Sequence, residues 1–310
     1  MRADDESLDR GGITLGVGAY TVWGLFPAFW ALLEPATPTE VLAHRILWTA
    51  LLMSVVLTAM RGWRHLRGIG PRGWLTVTAA AVLIAVNWGV FIYAVSIGHV
   101  VEAALGYYMT PLVSVLLAVL VLRENVGAAP WIALGLATAA VVVIAVGAGT
   151  APWLSLVLAV SFGTYGLIKK TLGAAGGRAL PATASLTGEG LVLAPVAAAV
   201  VLGLELTRAG TFLDHGPWHL LLMLATGPVT ALPLLLYGAA ARRIPLATLG
   251  VLMYLNPTLQ FLWGVLAVGE RMPASRWAGF VLVWLALTVF TVDLVRRARR
   301  GAAQPVRSTV

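Results

Sequence analysis

Cysteine is absent from this 310-residue chain. That excludes disulfides, thiolate nucleophiles and Cys-ligated zinc or iron–sulfur centres. Charge is nearly as scarce: charged residues make up 11% of the sequence, against about 25% in an ordinary soluble domain. No GxSxG elbow, HExxH helix or P-loop lysine occurs, and the histidines number only five, His44, His65, His99, His215 and His219. His215 and His219 are four apart, but Gly216 and Pro217 between them argue against a helical metal face. No cofactor, resident metal or ATP site is therefore expected. What the chain has in abundance is apolar side chains, 59% of the total, with a mean hydropathy of +0.89. Its 21 basic and 13 acidic residues cannot clothe a water-soluble surface of this length. The composition is that of an integral membrane protein.

A helix needs about 20 apolar residues to cross the hydrocarbon core. About ten such runs can be read: Ile13–Leu33, Pro38–Met60, Trp74–Ile97, Val100–Leu122, Pro130–Ala148, Trp153–Ile168, Pro181–Leu204, Trp218–Ala240, Thr248–Val268 and Trp277–Leu294. Short loops and two small tails remain, leaving no room for a soluble catalytic domain. Thr37-Pro38-Thr39-Glu40 carries a capping residue, a first-turn proline and a glutamate three positions after the cap, the pattern of a capping box. Pro130 and Pro181 likewise sit at helix starts. Gly173–Pro181 reads as the main linker, near the middle of the chain. The amino end, with four acids against two arginines before Gly12, lacks the basic leader of a cleaved signal peptide. The first run is expected to be a retained anchor.

The net charge of +8 is distributed as membrane topology rather than as a phosphate-binding face, so nucleic acid is not an expected partner. With ten spans and both ends inside, the inner side collects Arg2, Arg10, Arg61, Arg64, Arg67, Arg72, Arg123, Lys169, Lys170, Arg178, Arg242 and Arg243. It also takes Arg296, Arg297, Arg299, Arg300 and Arg307. Only Arg45, Arg208, Arg271 and Arg276 fall outside, so seventeen of the 21 cations obey the positive-inside rule. Both termini are therefore expected in the cytoplasm, and Arg296–Arg300 is expected to anchor on anionic lipid.

The segment from Pro111 repeats from Pro257 at a constant offset. Pro111/Pro257, Leu116/Leu262, Val119/Val265, Leu120/Leu266, Glu124/Glu270, Ala128/Ala274, Trp131/Trp277, Leu136/Leu282, Ala140/Ala286 and Val143/Val289 all match. Because the repeat unit is five helices, an odd number, the second half is inserted upside down relative to the first. Inverted repeats are characteristic of secondary transporters, whose substrate sits near the midplane.

Polar groups at depth need a reason, because each costs several kcal/mol in hydrocarbon unless paired. Arg45 lies seven residues into the second run, roughly 10 Å deep, and Glu189 eight residues into the seventh, roughly 12 Å from the opposite face. These nearly repeat-equivalent positions carry opposite charges. Both are expected to line a central cavity, with His44 beside Arg45, although Arg45 could instead snorkel to the outer headgroups. Asn87 and Trp88 fall at mid-depth in the third run, and Glu102 opens the fourth. Tyr107 precedes Pro111, and Tyr254 and Asn256 precede Pro257, where an X-Pro step can kink a span.

Several of these stretches resemble a known family. Ala43-His44-Arg45-Ile46-Leu47-Trp48, Asn87-Trp88-Gly89-Val90-Phe91-Ile92, Glu102-Ala103-Ala104-Leu105-Gly106-Tyr107-Tyr108, Gly188-Glu189 and Leu246–Gly250 leading to Asn256-Pro257 are similar to the RarD branch of the EamA family. That family belongs to the drug/metabolite transporter superfamily. The resemblance covers the chain from about Gly12 to Asp293. It implies an all-α integral membrane carrier of ten helices in two inverted five-helix halves, located in the inner membrane. One departure is Arg123-Glu124, where the family has Gly before Glu, as in Gly269-Glu270.

The expected organisation is a cytoplasmic tail (1–12), two five-helix repeats (13–150 and 151–294) and a basic cytoplasmic tail (295–310). The expected activity is secondary transport, as exporter or exchanger, of a small metabolite or drug-like compound by alternating access. His44, Arg45, Asn87, Trp88, Glu102, Tyr107, Glu189, Tyr254 and Asn256 are the candidate substrate or coupling residues. The expected partners are that small molecule, the lipid bilayer and, left open, a second copy of the chain. A non-transporting membrane sensor or assembly protein is the alternative. A lipid-modifying membrane enzyme has no acid–base or metal cluster to support it.

Overall fold

The computed structural model describes residues 9–123, 127–174, 180–244 and 246–302, all of the regular structure being helical. Glu124, most of the central linker and both distal tails lie outside the described residues, as do the side chains of Lys170, Arg297, Arg299 and Arg300. Ten helices carry the bundle: α1 (Arg10–Ala31), α2 (Pro38–Ala59), α3 (Pro71–Ser96), α4 (Val100–Leu122), α5 (Ala128–Ala148), α6 (Trp153–Ala174), α7 (Ala182–Leu206), α8 (Gly216–Ala240), α9 (Thr248–Val268) and α10 (Ala274–Ala302). Nine of them are long and apolar enough to cross a membrane. In α6 the apolar stretch among the described residues is shorter, Trp153–Lys169. The chain is a multi-pass membrane protein.

The helices pair under the exchange of each element with the one five places later. Helix α5 packs on α10, α2 on α7 and α4 on α9; α1–α8 is mirrored by α6–α3, α4–α6 by α9–α1, and α2–α8 by α7–α3. Two five-helix halves related by an approximate twofold produce this pattern, and an odd helix count makes the halves antiparallel. The ends of the bundle are called outer and inner below, after the lysine and arginine distribution.

Helices α1 and α9 depart from plain helices, and the sequence signalled only the break beside Pro257. Helix α1 breaks at Leu25, whose N–H still reaches Thr21, and resumes as Phe26–Ala31 with Pro27 in its first turn, where no N–H is needed. Helix α9 breaks at Met253–Tyr254, just ahead of Pro257, and closes in a π-helical turn, Gly264–Val268. Pro111, by contrast, sits inside an unbroken α4. The proline signal thus marked a break in one half only. Helix α10 runs on to Ala302, so part of the segment expected as tail is helix.

Starts and stops follow local chemistry. Thr37 Oγ1 caps α2 by accepting the Glu40 N–H at 3.2 Å, as expected. The Glu40 carboxylate does not turn back to complete the box; Oε1 accepts the Thr211 N–H at 2.6 Å in the α7–α8 connection. Pro130 enters α5 at its third residue, and Pro181 stands just ahead of α7. Gly216 and Pro217 form the first turn of α8 instead of separating His215 from His219, whose rings lie 5.6 Å apart.

In lipid, apolar area provides no net drive for helices to associate, so close van der Waals contact must. Small residues supply it around α2. A Cβ on Gly227 would fall 2.6 Å from the carbonyl carbon of Trp48, and one on Gly190 would fall 2.9 Å from the Ala50 Cβ. Helices α8 and α7 therefore press directly on the α2 backbone. Large apolar side chains such as Leu75, Val146, Leu202 and Leu266 face outward, where acyl chains cover them. Replacing Gly227 by Ala should lower the thermal transition of the detergent-purified protein, by the overpacking cost of about 1–3 kcal/mol. Gly238→Ala, with open space at its Cβ, should leave the transition unmoved in the same differential scanning experiment.

Candidate functional site

Arg45 is 2% exposed, so it does not snorkel to the headgroups. Four helices meet at its guanidinium. Helix α3 places the Trp88 ring 4.0 Å from Cζ, and the segment of α1 beyond the break contributes Trp30 at 4.9 Å and Phe26 at 5.3 Å. Phe26 and Trp30 are one helical turn apart, so the break at Leu25 re-aims both rings together. From α8, Thr230 Oγ1 accepts a hydrogen bond from Nε at 3.1 Å. Nη1 is buried with no hydrogen-bond partner, and among the described residues no carboxylate pairs with Arg45. A cation enclosed by aromatic faces gains up to about 2 kcal/mol from each desolvated contact. That offsets part of the burial cost and leaves a positive potential and a free donor.

Asn87, one residue before Trp88, belongs to a second network. Its Nδ2 donates to Leu158 O and Ser161 Oγ, both at 3.1 Å, and its Oδ1 accepts from Tyr107 Oη at 3.0 Å. The Tyr107 ring sits edge-on to Phe91 and Phe162. Tyr107 and Asn87 thus tie α3 and α4 to α6 beneath the arginine cage.

Glu189 is 1% exposed, but its charge is already answered. Lys169 Nζ lies 2.5 Å from Oε1, Ser185 Oγ donates to the same oxygen at 2.9 Å, and Tyr165 Oη donates to Oε2 at 3.0 Å. Arg45 and Glu189 therefore do not pair with one another. Trp88 stands between their surroundings: it stacks on Arg45 and lines, with Thr49, Leu186 and Glu189, a cavity of only about 10 Å³. That is barely room for one water. This cavity has no room for an organic molecule.

The remaining candidates lie apart from this centre. Glu102 at the start of α4 accepts the Leu154 N–H at 3.2 Å and meets His99 Nδ1 at 3.2 Å. It borders an outer cavity of about 190 Å³ with His99, Trp153 and Arg276. Glu270 lies nearby, accepting the Val101 N–H at 2.8 Å. Burial pushes its carboxyl above the usual range, against the backbone hydrogen bonds from Val101 and Val100 and the charges of Arg276 and His99. Tyr254 Oη reaches Thr291 Oγ1 at 3.5 Å, and Asn256 Oδ1 accepts from Gln260 Nε2 at 2.8 Å. Both residues serve the α9 break and its packing, not the arginine cage. His44 accepts from Trp48 Nε1 through Nδ1 at 3.0 Å and faces Phe212, 4.4 Å between ring centres.

Sequence reasoning missed Lys169, Tyr165, Ser185, Phe26, Trp30 and Thr230. A signal existed for the first three: Tyr165 and Lys169, like Ser185 and Glu189, are spaced four apart and share a helix face. Lys169 had been counted only as an inner-side topology charge.

Comparison with known proteins now bears on this geometry. Residues 10–146 match the EamA-like transporter family. Protein RarD of Streptomyces exfoliatus is 48% identical over 306 residues, 98% of this chain and 95% of that one. Protein RarD of Escherichia coli is 36% identical, over 96% of this chain and 99% of its own. This chain belongs to the RarD branch of the EamA-like transporter family. An uncharacterized transporter of Pseudomonas aeruginosa is also 40% identical over 94% of this chain and 96% of its own. A crystal structure at 18% identity matches with a TM-score of 0.59, covering 91% of this chain and 97% of that one, a likeness of fold. EamA-like proteins are membrane transporters, and the inverted five-plus-five architecture of this chain is theirs.

Breaking the inner ion pair on one side should be costly. Lys169→Met leaves the Glu189 carboxylate buried and uncompensated, a loss on the order of 3 kcal/mol for such a pair. A marked drop in thermal unfolding temperature is expected for Lys169→Met, and substantial recovery for the double variant Lys169→Met/Glu189→Leu.

Proposed function

We propose that this chain is a secondary carrier, exporter or exchanger, that moves a small amphipathic organic anion across the cell membrane by alternating access. The supporting observation is Arg45: a guanidinium 2% exposed, boxed by Trp30, Trp88 and Phe26, with Nη1 unpartnered. In a low-dielectric interior such a group attracts an anion far more strongly than it would in water. Its aromatic walls suit the apolar or planar body of the same molecule. Glu189, neutralised by Lys169, adds no charge repelling that anion.

Asn87, Tyr107 and Trp88 form the floor of the proposed site. Tyr254 and Asn256, at the α9 break, act in this reading as bending points with Leu25 of α1, since helix interruptions are where such carriers flex. Glu102 guards the outer cavity where cargo enters or leaves. Both termini lie in the cytoplasm in this proposal, supported by the lysine and arginine bias, and the basic end of α10 sits against anionic lipid.

A panel of organic anions screened by thermal shift should contain stabilising compounds, and Arg45→Ala should abolish their effect. The same compounds should move in proteoliposomes holding the wild type, with flux falling by at least about tenfold in Arg45→Ala, the loss of one charge-assisted contact. Unchanged flux and pH dependence in both Arg45→Ala and Glu189→Gln would defeat the site assignment. Stabilisation with no flux for any compound would favour a sensor over a carrier.

A further inference from the structure

A second titratable cluster lies at the outer end of α2, unused by the anion site. Glu40 is 1% exposed; Oε1 accepts the Thr211 N–H, and Oε2 is buried without a partner. His44, one turn later on the same helix face and also 1% exposed, has its Nδ1 occupied by the Trp48 indole. An indole N–H can only donate, so the neutral imidazole must carry its proton on Nε2. That Nε2 is buried and unpartnered as well. Thr211 closes the group: its N–H holds Glu40 and its hydroxyl meets His219 Nε2 at 2.9 Å, from α8.

The cluster therefore contains a carboxylate oxygen lacking a donor, an imidazole nitrogen lacking an acceptor, and a second buried imidazole. Helix α2, the α7–α8 connection and α8 hold it together. The other titratable groups on these elements and on α7 are His215, 5.6 Å from the His219 ring, Glu205, Arg208, Asp214, Arg45, Glu189, which Lys169 holds, and Tyr237, which packs on Tyr20 and Trp23. Arg208, Asp214 and His215 are exposed. Arg45 follows His44 in sequence and faces the aromatic cage. The titratable groups of α3, Arg72 and Tyr93, are exposed. None of these is paired with Glu40. A buried carboxylate with no cation beside it is costly, and a single added proton relieves it, whether it neutralises Glu40 or charges an imidazole next to it.

We infer that Glu40, His44 and His219 form a proton-loading site on the outer side of the bundle. One proton is taken from outer water onto this group and given back to water in a later step, with no other bond changed. Proton binding stands on the geometry; its use as the coupling ion for cargo held at Arg45 rests on the carrier reading above. The link is mechanical as well as electrostatic. A protonated Glu40 is a weaker acceptor for the Thr211 N–H, so loading loosens the clasp between α2 and the α7–α8 connection.

The test uses the full-length protein in liposomes adsorbed on a solid-supported membrane, with rapid external pH jumps and no cargo present. The wild type should show a transient charge displacement that is lost in Glu40→Gln and in His44→Gln. Asp214→Asn, in the exposed connection, should retain it. Should either loss variant fail to fold, infrared difference spectra of the wild type across the same pH step provide the second readout. There Glu40→Asp should shift a protonated-carboxyl band. A wild-type displacement that persists in both Glu40→Gln and His44→Gln, or no displacement in the wild type, overturns the proposal. Because cargo is absent, that outcome is independent of the Arg45 flux experiment, whose failure would leave a proton site without a carrier.

Discussion

A guanidinium enclosed in the hydrocarbon slab without a carboxylate constrains everything around it. Water solvates an arginine at little cost; here three aromatic rings and one threonine hydroxyl must replace that water. Those groups come from α1, α3 and α8, so the position of one side chain on α2 sets the relative placement of four helices. The break in α1 follows from the same need, since an unbroken helix would not be free to re-aim Phe26 and Trp30 together. Nη1 is left unmatched, so the surroundings of this side chain stay electropositive.

The two halves treat equivalent positions differently. Among the described residues, Arg45 in the first half has no counter-ion, whereas Glu189 in the second has Lys169, a serine and a tyrosine. An inverted repeat provides two similar frames, but these two equivalent positions are satisfied differently. The asymmetry extends to backbone form, with Pro257 preceded by a helix break and Pro111 embedded in an unbroken helix. The fold is thus symmetric where its chemistry is not.

Much of the site was visible in the sequence as position and little of it as partnership. Arg45 and Glu189 stood out because ionised groups at depth are rare, and both are indeed buried. Their partners were not legible: Glu189 is held by Lys169, a residue the sequence marked only as a topology charge. Glu40 read as a capping residue, and half of that reading holds, since Thr37 does cap the helix. The other half fails because the carboxylate finds a donor in a connection 171 residues away. Spacing along one helix carries no information about such a contact.

The sequence alone showed about ten apolar runs, their starts to within a few residues, the inverted repeat and the residues too polar to be lipid-facing. These are local properties: transfer of a 20-residue segment into hydrocarbon depends on that segment's own side chains. Which way each helix turns was decided only by the tertiary structure. In water an apolar stripe marks the buried face, but in lipid the interior and the surroundings are equally apolar, so the stripe disappears. Close approach at small residues such as Gly227 and Gly190 then sets the rotation of each helix. That rotation decides which rings surround Arg45 and which cation reaches Glu189.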